Sequence, residues 1–175
     1  MLCDYKAQDF SFLRGEPNYY EFTRCYYGLE HFYNSFLSRQ NGEDLNRSFL
    51  LLVFDEFMSF INMLEKKEAD AARLKLSNLL LLGRSYNVHV LVSQQRADAE
   101  YFAKARDNFG LVIALGNISK ESAAMFNFDR DKMEPVSGIG CGYMLTNGTD
   151  MRAIRVPLIR DQAKVERYIR KTVSK

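Results

Sequence analysis

Phe49-Leu50-Leu51-Leu52-Val53-Phe54-Asp55-Glu56-Phe57 decides how the rest of the chain is read. Its apolar residues, Phe49 to Phe54, form a run too short for a helix and without polar alternation, which describes a strand buried on both faces. Two carboxylates end it. Charge at the end of such a strand is costly unless it faces a cleft. There Asp55 can hold a metal ion through water while Glu56 orients a hydrolytic water. The same pair also suits the first turn of the following helix, where the backbone dipole favours negative charge. Within this run alone, both roles stand.

Outward from it, residues 2–5 predict a short strand closing on Asp4 and Lys6. Residues 7–18 read as a loop with turn signals at Arg14-Gly15 and Pro17-Asn18, and 19–22 as a brief strand. Tyr26, Leu29, Phe32, Tyr33 and Phe36 recur every three or four positions, an amphipathic helix over 25–37. After the central strand, Phe57, Phe60, Ile61 and Leu64 repeat that spacing, the charged run 65–70 interrupts it as a solvated stretch, helical or looped, and Ala72, Leu76, Leu79 and Leu80 resume it, so that a second helix or one long broken helix ends near Gly83. Val88-His89-Val90-Leu91-Val92 is a second buried strand, stopping at Ser93-Gln94-Gln95-Arg96. Residues 97–105 are helix-prone, and 110–115 read as a third buried strand. Ser119 caps a short helix, 141–157 form a hairpin about Asn147-Gly148, and 161–171 form a closing helix.

Continuously apolar strands alternating with helices imply an α/β fold: a mainly parallel sheet with helices on both faces, then a C-terminal β-hairpin plus helix, in a single domain over 1–175. Ligands of such sheets bind beyond the carboxyl ends of the strands. Asp4, Asp55, Glu56 and Gln95 all fall there, which favours the catalytic role for the acidic pair. An amide such as Gln95 both donates and accepts, so it can sense a phosphate or hold a water. Polar residues also end strands simply because the backbone needs partners.

The totals exclude several classes. At 175 residues the chain can bury one sizeable core, and its 47% hydrophobic and 26% charged content is that of a soluble globular protein. A net charge of +2 is too small to argue for nucleic acid by itself. No apolar run reaches the ~18 residues of a membrane span, and the start lacks a signal-peptide hydrophobic region. Cys3, Cys25 and Cys141 are odd in number and lack a CxxC pair, which fits reduced thiols in a cytoplasmic protein rather than a disulfide framework or zinc site. His89, inside an apolar strand with only His31 elsewhere, reads as a core or edge residue. Gly138, Gly140 and Gly142 lead into a hairpin and read as turn geometry rather than a phosphate loop.

The order of these motifs resembles the motor domain of FtsK/SpoIIIE-type DNA translocases, additional-strand RecA-like P-loop ATPases related to the conjugative coupling proteins. The resemblance runs from residue 2 to about 157. It rests on Leu51-Leu52-Val53-Phe54-Asp55-Glu56-Phe57 as a Walker B strand (49–55), on Gly83-Arg84 before the Val88–Val92 strand, and on Ser93-Gln94-Gln95-Arg96-Ala97 as the glutamine motif (strand 88–95). That last motif departs from the family's Ala-Thr-Gln-Arg-Pro in losing the Thr and the Pro. Cys3-Asp4-Tyr5-Lys6 resembles the family's Asp-Pro-Lys strand, and Gly138 to Leu145 its glycine-rich turn into a late hairpin. The Walker A loop is missing: no glycine here is followed by lysine. The chain therefore looks like the C-terminal part of a motor core cut after the P-loop helix, expected to bind ATP poorly and not to hydrolyse it alone.

The resemblance implies ATP and Mg2+ as cofactors of the complete motor. Asp55 matches the residue that holds magnesium through water, Glu56 the one that polarises the attacking water, and Gln95 the one that couples the γ-phosphate to DNA-facing loops. Arg84 stands where the family carries an arginine before the strand and is the candidate trans-acting arginine finger, with Arg96 its rival; a cation at a helix C-terminus is the structural alternative. The implied partners are double-stranded DNA, neighbouring subunits of a homo-hexamer, and conjugation or secretion machinery. The full-length protein can be membrane-anchored through an N-terminal part. The tail adds a basic stripe, Arg160, Lys164, Arg167 and Lys171, opposite Val165 and Ile169. Such a stripe can bind DNA phosphates or be a solvated face. Two other readings stand beside the translocase: a non-catalytic RecA-like module that docks on an active motor, and a secretion motor that moves protein. A nuclease built on Asp4, Asp55 and Glu56 lacks the accompanying Glu-x-Lys strand.

Overall fold

Continuous apolar runs pair here as parallel strands where helices cover them. The computed structural model describes residues 1–96 and 99–175, so Ala97 and Asp98, at the start of the helix-prone 97–105 stretch, lie outside the described residues. The chain divides into two compact units, residues 1–95 with 161–175, and residues 96–160.

The first unit is built on β1 (Leu2–Asp4), β2 (Tyr19–Glu21), β3 (Leu50–Asp55) and β4 (Val88–Ser93). They form an all-parallel sheet in the order β2-β1-β3-β4. Crossovers between parallel strands need helices, and α1 (Cys25–Gln40), α2 (Phe57–Met63) and α3 (Lys66–Leu82) supply them. Phe54 packs edge-on against Phe57 and tilted against Phe60, so α2 is fixed by the strand it follows. Gly28 lets α1 lie close to β1: a Cβ there would come within 2.6 Å of Cys3 Sγ. At the end of α1, the buried Arg39 donates to the carbonyls of Ser48 and Tyr86 and pairs with Asp44, tying the helix to the loop that leads into β3.

The break between the two helices falls at Leu64 and Glu65, both extended (ψ 152° and 150°), and the rest of the charged run, from Lys66, takes the helical alternative as the first turns of α3 with Ala69 buried beneath it. An acidic residue in the first turn, Glu68, suits the helix dipole.

The second unit holds α4 (Ala99–Phe102), β5 (Leu111–Leu115), α5 (Lys120–Met125), β6 (Cys141–Thr146) and β7 (Asp150–Arg155). β5 departs from the reading of a third strand in a parallel, doubly covered sheet. It pairs antiparallel with β6, which pairs antiparallel with β7. One face, with Val112, Ala114, Tyr143, Leu145 and Met151, packs around Ala123 and Phe128. On the other face Leu111, Ile113 and Leu115 remain 51–55% exposed. The run is apolar at every position, so its pattern hides which face is packed. The hairpin turns at Asn147 and Gly148, both left-handed, as the Asn-Gly signal predicts. Gly138 and Gly140 also have positive φ and serve as turn residues before β6.

α6 (Gln162–Val173), capped by Asp161, returns to the first unit. Its Val173 and Ile169 join Leu2, Leu13, Tyr19 and Val53 on the sheet face opposite α1 to α3, so helices flank both faces of the parallel sheet. Asn18 donates to the Val173 carbonyl, and Arg170 bonds Glu16 and the Phe12 carbonyl.

Candidate active site at the strand ends

Parallel register places Glu21, Asp4, Asp55 and Ser93 side by side across the carboxyl ends of β2, β1, β3 and β4. Asp4 is completely buried, and its carboxylate is taken up by the protein. One oxygen accepts from the Ala7 amide (2.7 Å), the other from the Phe10 amide (3.2 Å) and the Tyr19 hydroxyl (3.1 Å). Burial, with Asp4 alongside, pushes the Tyr19 hydroxyl well above its ordinary range. Asp4 thus shapes the loop after β1 and does not present a free ligand, which removes a member from the nuclease triad.

Asp55 is half-buried and accepts from the Ser93 hydroxyl. Burial raises its carboxyl above the ordinary value, and the negative charges of Asp4, Glu56 and Asp9 raise it further against the lowering effect of the Ser93 bond. Glu56 follows in a left-handed conformation (φ 57°, ψ 46°) at the start of α2 and is only 7% exposed. Its amide donates to the Ser93 carbonyl (2.8 Å), which extends the β3–β4 ladder by one bond. Its Oε1 accepts from Lys6 Nζ at 2.7 Å and its Oε2 from Ser59 Oγ at 3.2 Å. Glu56 caps no backbone amide of α2 with its side chain. The helix-cap alternative therefore has no hydrogen bond behind it.

The glutamines separate. Gln95 is exposed at the exit of β4, whereas Gln94 is partly buried with an Oε1 that has no hydrogen-bond partner among the described residues. Arg84 is exposed in the short 3-10 helix Gly83–Tyr86 and forms no ion pair among the described residues. The glycine before it is required by packing: a Cβ on Gly83 would approach the Val88 carbonyl oxygen to 2.5 Å. Arg96 is exposed as well, and belongs to the second unit. His89 sits at the sheet edge as expected, stacked on Phe49 and bonded to the Asn87 side chain.

Lys164, Arg167 and Lys171 line one shallow concavity on α6 with Tyr168, and all are exposed. Arg160 precedes the helix and so does not share its face. Among the described residues no group of three or more His, Cys, Asp or Glu is disposed to hold a metal ion by itself. A nucleotide-bound magnesium ion needs only one or two protein oxygens, the rest coming from water and phosphates. Asp55 with the Ser93 hydroxyl beside it fits that donor set.

Lys6, Ser59 and Ser93 join the acidic pair as partners that the motifs do not name. Ser93 has a signal, since it closes a strand whose end is assigned to the site, whereas Lys6, two residues beyond β1, has none. Ser59 has one in its spacing, one helical turn after Glu56.

No protein-family model matches the chain. YdcQ, an FtsK domain-containing protein of Bacillus subtilis (strain 168), is 32% identical to it over 84 residues, 47% of this chain and 18% of YdcQ. The similarity covers part of each protein and supports an FtsK-like domain here. Among the described residues no helix is long and apolar enough to cross a membrane.

Proposed function

We propose that this chain supplies the metal-holding and water-activating half of the ATPase site of an FtsK/SpoIIIE-like double-stranded DNA translocase. The observation that carries this reading is the acidic pair itself. Asp55 and the strained, buried Glu56 sit at the carboxyl end of the central strand, each held by side-chain donors rather than capping a helix. The partial likeness to an FtsK-domain protein supports it. The phosphate-binding half is a glycine-rich loop outside these 175 residues, since no Gly-Lys pair occurs within them.

Mg2+ bound with ATP would supply charge neutralisation and Lewis-acid polarisation at the transferred phosphoryl group. Asp55, with the Ser93 hydroxyl beside it, would hold the ion. Glu56 orients the attacking water and takes its proton. Gln95, exposed beyond β4, relays the ligand state to DNA-facing loops. Arg84, exposed and without an ion pair among the described residues, is the cation this reading offers to the nucleotide of a neighbouring subunit, which calls for a ring, hexameric in this reading; Arg96 is its rival. The exposed Lys164, Arg167 and Lys171 of α6 are this reading's candidates for contact with DNA phosphates. The motor works on the cytoplasmic side, in conjugation, chromosome segregation or a related secretion system.

The test compares the chain alone with the complete protein that carries it behind a Gly-Lys-Ser/Thr loop. Alone, it is expected to show no ATP turnover; the complete protein is expected to hydrolyse ATP, faster with double-stranded DNA. Turnover by the chain alone would sink the division of the site. The non-catalytic docking module is favoured by the missing Gly-Lys pair. It prevails when the coding sequence within about 60 residues upstream of Met1, the span of a βαβ half, encodes no such loop.

A further inference from the structure

We propose that Lys6 is a positioning residue for Glu56, carried on a loop that the buried carboxylate of Asp4 bends for this purpose; the inference rests on the ATPase reading above. Lys6 lies 50 residues before Glu56, at the exit of the neighbouring strand, and its Nζ stands 2.7 Å from Oε1. No periodicity or local spacing brings the two together.

The residues on either side of Lys6 are fixed. Tyr5 donates its amide to the Asp55 carbonyl (3.4 Å) and packs its ring edge-on to Phe60 at 5.9 Å. Ala7 is buried in a left-handed conformation (φ 55°), with its amide on Asp4 Oδ1. The Phe10 amide closes the loop on the other Asp4 oxygen. A lysine normally spends its four-carbon stem in many rotamers. Between these anchors, its head is delivered to one acceptor.

The consequence falls on Glu56. A glutamate carboxylate has three side-chain torsions to fix before it can aim a lone pair. Ser59, on the helix that Glu56 starts, bonds Oε2, and Lys6 bonds Oε1 from across the strand ends, so the carboxylate plane is set by two donors on different elements. Each oxygen keeps a second lone pair for a water. The Lys6 side chain, 36% exposed, faces the solvent side of this contact, while Glu56 is buried behind it.

The experiment uses Lys6→Met and Lys6→Arg in the complete protein. Lys6→Met is expected to lower kcat about 10- to 100-fold, the usual loss when an orienting partner is removed, with KM for ATP within about twofold; Lys6→Arg is expected to recover most of kcat. An unchanged kcat, or a loss confined to KM, overturns the proposal. A double-mutant cycle with Glu56→Gln on the ligand-free chain, read by urea unfolding, supplies a readout independent of turnover. It is expected to show about tenfold coupling in the folding equilibrium constant, within the range of contacting pairs. Additivity within about twofold overturns the hold on Glu56. A complete protein that hydrolyses no ATP defeats the ATPase reading instead, and the cycle alone then decides whether Lys6 holds Glu56.

Discussion

Glu56 is left-handed where glutamate gains nothing from that conformation, a strain of about 1–3 kcal/mol for a non-glycine residue. Asn87, left-handed at the entry to β4, belongs to a residue type that tolerates it. Strain retained on a buried carboxylate marks a site maintained for something other than stability. Asp55 carries the same signature in its titration. Burial and three neighbouring carboxylates raise its folded-state value above the ordinary one. The folded state therefore binds this proton more tightly than the unfolded chain does. The contribution is favourable below the ordinary carboxylate value and is lost as pH rises from there through the raised folded value. Asp55→Asn, which can still accept from Ser93, is expected to raise the thermal midpoint at pH 7 by up to about 4 °C, a small gain because Asp55 is only partly buried. The advantage fades as the pH is lowered into the acid range. Thermal melts of both proteins across that range check it; an Asn variant less stable at neutral pH would mean that the charge is welcome where it sits.

At the scale of elements, the parallel strands were legible because burial on both faces leaves a continuous apolar run, as in β3 and β4. The α2–α3 break is not fixed by the pattern because charge suits both a linker and a helical first turn, and only the extended Leu64 and Glu65 separate the two helices. β5 was legible as a strand but not in its partner, since an all-apolar run states nothing about direction or sheet. The acidic pair was legible for the same reason as its strand; Lys6 was not, because its contact depends on how β1 and β3 lie side by side. The docking of α6 is likewise a long-range property. Ser174 and Arg170 hold Glu16 and depress its carboxyl below the ordinary range. That contribution is present above the ordinary carboxylate value and is lost as pH falls through the depressed one. Arg170→Ala is expected to speed amide exchange in α6 about tenfold while β3 and β4 keep their protection, a local loosening. Exchange unchanged in α6 would leave the anchor to Val173 and Ile169 with the Asn18 and Ser174 hydrogen bonds.

The molecule as a whole combines a parallel sheet, an acidic pair at its carboxyl end, and a chain without a Gly-Lys phosphate loop. In the proposed function Glu56 acts on water and not on nucleotide affinity. The direct measurement is ATP binding and steady-state hydrolysis by the complete protein, wild type beside Glu56→Gln. The variant is expected to bind ATP with unchanged affinity while kcat falls at least ~100-fold, the scale of a lost general base. Turnover that survives the substitution, or binding lost together with it, would rule out that role for Glu56.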